Sequence, residues 1–226
     1  MSTSPELAAK PPKPPRHPAK RVLPPNPVRA VALVLGFMAL LYALQVLNVL
    51  TLYSLNSWFG LRPRDLFALQ DVLFFPLLHV SWQHLVDNSV PLMIFSFLAM
   101  SGGTRQFLKV TAHVWLLGGL LTWLIARPEG VVGASGLIFG YLTFLLARGI
   151  FVGSIPQFLI AAVLAFAYGW VFVLVLPSSA NPDVSWEGHL CGAVAGVYAA
   201  WRVASDYRES LQRTPTPPAL PGSLGV

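Results

Sequence analysis

The sequence predicts an all-α membrane protein, a bundle of six transmembrane helices. Three observations carry this. First, 55% of the 226 residues are hydrophobic and only 11% are charged, with a mean hydropathy of +0.63; a soluble domain carries about a quarter charged residues. Second, the apolar residues are gathered into separate runs of spanning length, whereas a globular core would scatter them. Third, Lys and Arg fall unevenly on the two sides that such spans define.

The spans follow in order. Residues 28–50, "VRAVALVLGFMALLYALQVLNVL", are mostly apolar and of spanning length. Residues 51–84 are too polar to cross, yet rich in aromatics (Trp58, Phe59, Phe67, Phe74, Phe75, Trp82), and read as a piece lying in the membrane interface. The next spans are 85–101, 107–126, 134–150 and 156–176, and the last is 187–205, "EGHLCGAVAGVYAAWRVAS". Residues 28–205 therefore form the membrane domain. The basic, Pro-rich stretch 1–27 and the stretch 206–226, with its Pro/Gly-rich end, have little to bury and are predicted to be disordered tails.

Placing the N-terminus in the cytoplasm leaves only Arg62, Arg64 and Arg127 outside, with the remaining Lys and Arg inside. The net charge of +6 thus reads as a topology signal and a contact for membrane lipids, and nucleic acid is not an expected partner. The single cysteine, Cys191, excludes an internal disulfide and a multi-cysteine metal site.

Polar groups inside spans are costly and mark function. Here they are His84 and Asn88, His113, Ser135, and His189. His84, Ser135 and His189 fall near the outer ends of three different segments. Two rows of small residues tell whether they can meet: Gly136 and Gly140 after Ser135, and Gly188, Gly192 and Gly196 around His189. Small residues four apart let helix backbones approach closely, and packing one row on the other brings Ser135 and His189 to one level. A serine hydroxyl needs a base to become a nucleophile, and neutral imidazole suits that task. His84 and Asn88 share a helix face and carry side-chain N–H donors suited to an oxyanion, beside the unpaired backbone N–H groups at the helix start that Ser135 occupies. A serine between small residues in a spanning helix is more often packing glue. His113 has no partner pattern and reads as a structural polar contact. A metal site of His79, His84, Asp87 and His189 is disfavoured by spacing, and no metal or other cofactor is expected.

These residues resemble the rhomboid intramembrane serine proteases. "HVSWQHLVDN" is similar to the family's H-x-x-x-N pattern at His84 and Asn88, with His79 as an additional upstream histidine. "GASG" matches the G-x-S-G nucleophile motif at Ser135, and "GHLCGAVAG" resembles the histidine-bearing last helix at His189. The resemblance covers about residues 50–205. It implies Ser135 as nucleophile, His189 as general base, His84, Asn88 and Gly133 as oxyanion or auxiliary groups, and Phe139 as a ring packed on the histidine. It further implies a six-helix rhomboid-like bundle that cleaves peptide bonds in single-span membrane proteins, which enter between the second and fifth helices. The expected location is a bacterial plasma membrane, with both termini cytoplasmic and the active site near the outer face. Two features depart from the family: the Trp-Arg pair of the first loop is absent, and so is a G-x-x-x-E-x-x-x-G pattern in the second helix.

Two other functions are compatible with a multi-pass chain. A non-catalytic rhomboid-like protein that binds spanning helices would typically have lost Ser135 or His189. A small transporter would place polar groups near the midplane and often show an internal repeat.

Overall fold

The computed structural model describes residues 17–168, 176 and 185–213. Helix α1 spans Pro27–Leu50 and α2 is the short Ser54–Phe59. Then come α3 (Trp82–Ala99), α4 (Thr104–Ala112), α5 (Gly118–Ile125), α6 (Ser135–Val152), α7 (Ile155–Ala167) and α8 (Trp186–Gln212). The described residues are mostly helical, without a named strand. Four stretches are long and apolar enough to cross a membrane: Pro27–Leu50, Trp82–Gly102, Thr104–Ile125 and Ser135–Val152. Helix α7 is apolar but shorter. Helix α8 has the length, but its glycines, Glu187 and His189 dilute its apolar character.

Helix starts follow local chemistry. Asn26 caps α1 by accepting the Arg29 N–H, with Pro27 at the first position, where its missing N–H costs nothing. Ser81 caps α3 through the His84 N–H, and Ser185 caps α8 through the Gly188 N–H. Pro91 sits inside α3, which continues through it. Helices α4 and α5 are one rod interrupted by a π-turn over His113–Leu117. His113 Nδ1 donates to the Lys109 carbonyl and its ring faces Tyr198, which is the structural role its isolation suggested.

Helix α6 is the buried centre. It packs on α3, α7 and, most extensively, α8. The α6–α8 contact is backbone on backbone. A Cβ added at Gly192 would collide with the Gly136 carbonyl, and one at Gly196 with the Gly140 carbonyl. Thr143 Oγ1 donates across the seam to the Ala193 carbonyl at 2.8 Å.

Residues 51–84 fold over one end of the bundle. Leu61 pairs with Val131 as an isolated antiparallel bridge. Trp123 Nε1 donates to the Asp65 carbonyl, Trp115 Nε1 to the Val72 carbonyl, and Arg64 Nη1 to the Ala126 carbonyl. Phe67 and Trp58 remain exposed.

Several boundaries differ from the sequence expectation. The span expected at 156–176 is helical over Ile155–Ala167, and 169–175 lie outside the described residues. The last helix, expected to stop at 205, runs to Gln212, while 214–226 lie outside the described residues. Of the tail expected to be disordered over 1–27, residues 1–16 also lie outside. Residues 17–26, however, form a strap packed on the bundle. Ala19 is buried with Val152 and Ala204. Gln157 Nε2 donates to the carbonyls of Ala19 and Arg21 at 2.8 and 2.7 Å. The His17 ring and the Lys20 ammonium both face Tyr207. Composition alone hides this strap because its anchors are backbone carbonyls and one small side chain.

Candidate active site

Ser135 opens α6, so the N–H groups of Ser135 and Gly136 have no acceptor in a preceding turn, whereas those of Leu137 and Ile138 bond the Ala134 carbonyl. His189 lies in the first turn of α8, next to Gly188. Because the glycine rows bring the two backbones together, Ser135 Oγ and His189 Nε2 sit 2.9 Å apart. Phe139, one turn after the serine, stacks on the imidazole with ring centroids 4.5 Å apart and planes 25° apart. That stack fixes the ring plane, so the histidine presents Nε2 to the hydroxyl.

His84 and Asn88 arrive from α3, on the other side. Gly133 has φ +127°, a conformation that disfavours side chains, and a Cβ there would stand 2.7 Å from His84 Cε1. The glycine lets the His84 imidazole close over the turn that leads to Ser135. The Gly133 N–H itself donates to the Phe75 carbonyl at 2.9 Å, so in this arrangement Gly133 contributes its shape and not its donor. Asn88 is buried one turn after His84. Its Nδ2 and the Nδ1 of His84 are buried without a hydrogen-bond partner among the described residues. A buried donor with no acceptor is costly, and an anion forming beside it would satisfy it. Asp87 instead bonds Gln83 on the exposed side of α3.

Two features escape a reading of the sequence. The first is a polar buttress under the loop. His79 is fully buried. Its carbonyl accepts from Asn48 Nδ2 of α1 and Asn56 Nδ2 of α2, both at 3.2 Å, and its Nε2 accepts a long 3.5 Å bond from the Ala134 N–H. Its ring meets His84 edge-on. The second is the Arg127–Glu187 ion pair, 2.7 Å between Nε and Oε1, which ties the segment after α5 to the start of α8. The two charges lie 60 residues apart in the chain, so their pairing depends on the fold.

Burial, then the neighbouring His84, pushes the His79 imidazole down to about 3 from 6.5. Between those two values the unfolded chain binds a proton that the folded chain refuses. Stability contributed by a neutral His79 is fully present above pH 6.5 and falls as the pH drops towards 3, by up to about 1.4 kcal/mol per unit. His79→Leu should therefore flatten the acid limb of a Tm-against-pH curve between pH 6.5 and 4. An unchanged acid slope in that variant would show that another group controls it.

Comparison with known proteins agrees with this architecture. The Rhomboid domain matches residues 67–206. An uncharacterized protein of Mycobacterium leprae is 42% identical over 184 residues, covering 78% of this chain and 72% of that protein. One of Mycobacterium tuberculosis is 41% identical, covering 78% and 76%. A rhomboid-type serine protease of Yarrowia lipolytica is 30% identical over 158 residues, 64% of this chain and 49% of that protein. With the domain match spanning more than half of its length, and with two mycobacterial relatives aligned over most of theirs, the chain belongs to the rhomboid family.

Proposed function

We propose that this protein is an intramembrane serine protease that cleaves single-span membrane proteins through a Ser135–His189 dyad. The observation that carries the reading is the 2.9 Å contact between Ser135 Oγ and His189 Nε2. In the reaction, His189 Nε2 takes the serine proton as Oγ attacks the substrate carbonyl. The tetrahedral oxyanion is held by the side-chain donors of His84 and Asn88 and by the N–H groups at the α6 start. His189 then gives its proton to the leaving amine. Water, activated by the same imidazole, releases the acyl-enzyme. No cofactor enters any of these steps.

The membrane arrangement follows the same reading. Six helices span: α1, α3, the α4–α5 rod, α6, α7 and α8. Arg62, Arg64 and Arg127 lie at the bundle end that carries Ser135, which is the outer end. The opposite end holds the strap with Lys20 and Arg21, and the Lys109–Asp206 contact, which fits a cytoplasmic face. Substrate enters between α3 and α7, which both rest on α6 and make few contacts with each other. The family's non-catalytic helix binders are the second reading, and the paired serine and histidine count against it.

The test uses the purified protein in liposomes with a panel of single-span substrates and a fluorophosphonate probe. Probe labelling and a discrete cleavage product are expected. Absence of both rejects the protease in favour of a binding protein. Asn88→Ala should lower single-turnover cleavage by about two to three orders of magnitude and still label slowly, because the serine and its base remain. Full-speed cleavage by this variant would remove Asn88 from the oxyanion site.

A further inference from the structure

Arg148 is a buried charge that the proposed chemistry does not use. It lies on α6 thirteen residues beyond Ser135, about 20 Å along the axis, and four residues before the helix ends. It is only 1% exposed. Its Nε and Nη1 are buried with no hydrogen-bond partner among the described residues, and none of the ion pairs there includes it. Its visible compensation is the face of Phe144, 5.0 Å from the guanidinium carbon. A ring face offsets only a small part of the cost of a charge within a span. Keeping a guanidinium there without a counter-charge is unfavourable.

The surroundings suggest what completes it. A small cavity beside Arg148 is lined by Val22 of the strap, Leu98 of α3, Leu145 of α6, and Gln157, Ile160 and Leu164 of α7. Gln157 donates Nε2 to the carbonyls of Ala19 and Arg21, which fixes the orientation of its amide. Its Oε1 is left buried and unpartnered. One cavity therefore holds a planar cationic fork and a neutral acceptor between hydrocarbon walls. It lies at the bundle end that carries the strap and its cations.

We propose that Arg148 and Gln157 form a binding site for a phosphate group, carried by an anionic phospholipid headgroup or by free phosphate. The guanidinium fork matches two phosphate oxygens. Gln157 Oε1 accepts from a hydroxyl of the headgroup or of the phosphate itself. Basic pockets between spanning helices on the side rich in Lys and Arg suit anionic headgroups. The free space beside the guanidinium is roughly that of one water, so the Val22 side chain turns aside when phosphate enters. The site joins α3, α6, α7 and the strap, so its occupancy stabilises the end of the bundle opposite the serine.

The test compares the Tm of the wild type and Arg148→Met in maltoside micelles alone, with phosphatidylcholine, with phosphatidylglycerol, and with inorganic phosphate. In micelles alone the Met variant should be at least as stable as the wild type, since an apolar replacement of an unpaired buried charge is neutral or stabilising. Phosphatidylglycerol should raise the wild-type Tm by about 3 °C or more beyond its effect on the variant. The same differential rise with inorganic phosphate identifies free phosphate as a source, and a rise with phosphatidylglycerol alone identifies the lipid. Equal shifts in both proteins in every arm would mean that anions act only through surface cations, and would overturn the proposal. If the Met variant fails to fold, Val22→Glu takes its place. Its carboxylate would occupy the cavity wall, pair with Arg148 and remove the phosphate-dependent shift; a shift that persists would overturn the proposal equally. The readout is stability, so it stands or falls independently of protease activity.

Discussion

Ser135→Ala should reduce cleavage of a spanning substrate to background, a loss of at least about four orders of magnitude, and should abolish fluorophosphonate labelling. His189→Ala should do nearly the same. The expectation rests on how few groups can act. Ser135 Oγ is the hydroxyl in contact with the His189 imidazole, at 2.9 Å, and Phe139 holds that ring in place. Without the hydroxyl there is no attacking atom. Without the imidazole the hydroxyl keeps its proton and attacks poorly. Because the two act as one unit, the double variant should be no slower than either single variant. Folding offers the control: a methyl fits where the hydroxyl was, so Ser135→Ala should keep a wild-type Tm to within a few degrees. The measurement is single-turnover cleavage by the four proteins in one lipid preparation. Turnover by Ser135→Ala at the wild-type rate, or losses in the single variants that multiply in the double, would remove the dyad.

How much of this was legible beforehand depended on whether a feature is local. Four long apolar stretches, the glycine rows and the Ser135 and His189 positions are written in short-range pattern: apolar runs, and small residues four apart. The α6–α8 seam follows from that pattern, since Gly136, Gly140, Gly192 and Gly196 let the two backbones approach closely. The buttress at His79 was not legible. It joins Asn48, Asn56 and Ala134, whose sequence separation is set by loops. The strap was hidden for a related reason. A proline-rich basic stretch looks solvated, and what holds it is a pair of carbonyls found by a glutamine far along the chain. The π-turn at His113–Leu117 also leaves no mark on hydropathy. Gly133 lies between the two cases: its place in the motif is obvious, but only the fold shows that its N–H is spent on Phe75.

Gly192→Leu should be the most damaging substitution for folding as well as for activity. The Cβ alone would press on the Gly136 carbonyl and backbone, which a rotamer change cannot relieve. Overpacking of side chains costs about 1–3 kcal/mol, and a clash against backbone belongs at or above the top of that range. Relief requires α8 to move off α6. Since His189 sits three residues before Gly192, any such movement also carries the imidazole away from Ser135, and a displacement of an ångström is enough to cost activity heavily. Gly192→Ala should already show both effects at a smaller scale, and Gly196→Ala should resemble it in stability, since its Cβ meets the Gly140 carbonyl. Two controls separate this account from a general intolerance of bulk. Gly36, exposed on α1 with nothing within 4 Å of an added Cβ, should accept leucine with little change in Tm or cleavage. Glycine 192 variants should lose probe labelling in proportion to their fall in Tm. A Gly192→Leu protein that folds with a wild-type Tm and labels at the wild-type rate would show that helix contact at the seam does not deliver the histidine, and the positioning of His189 would need another cause.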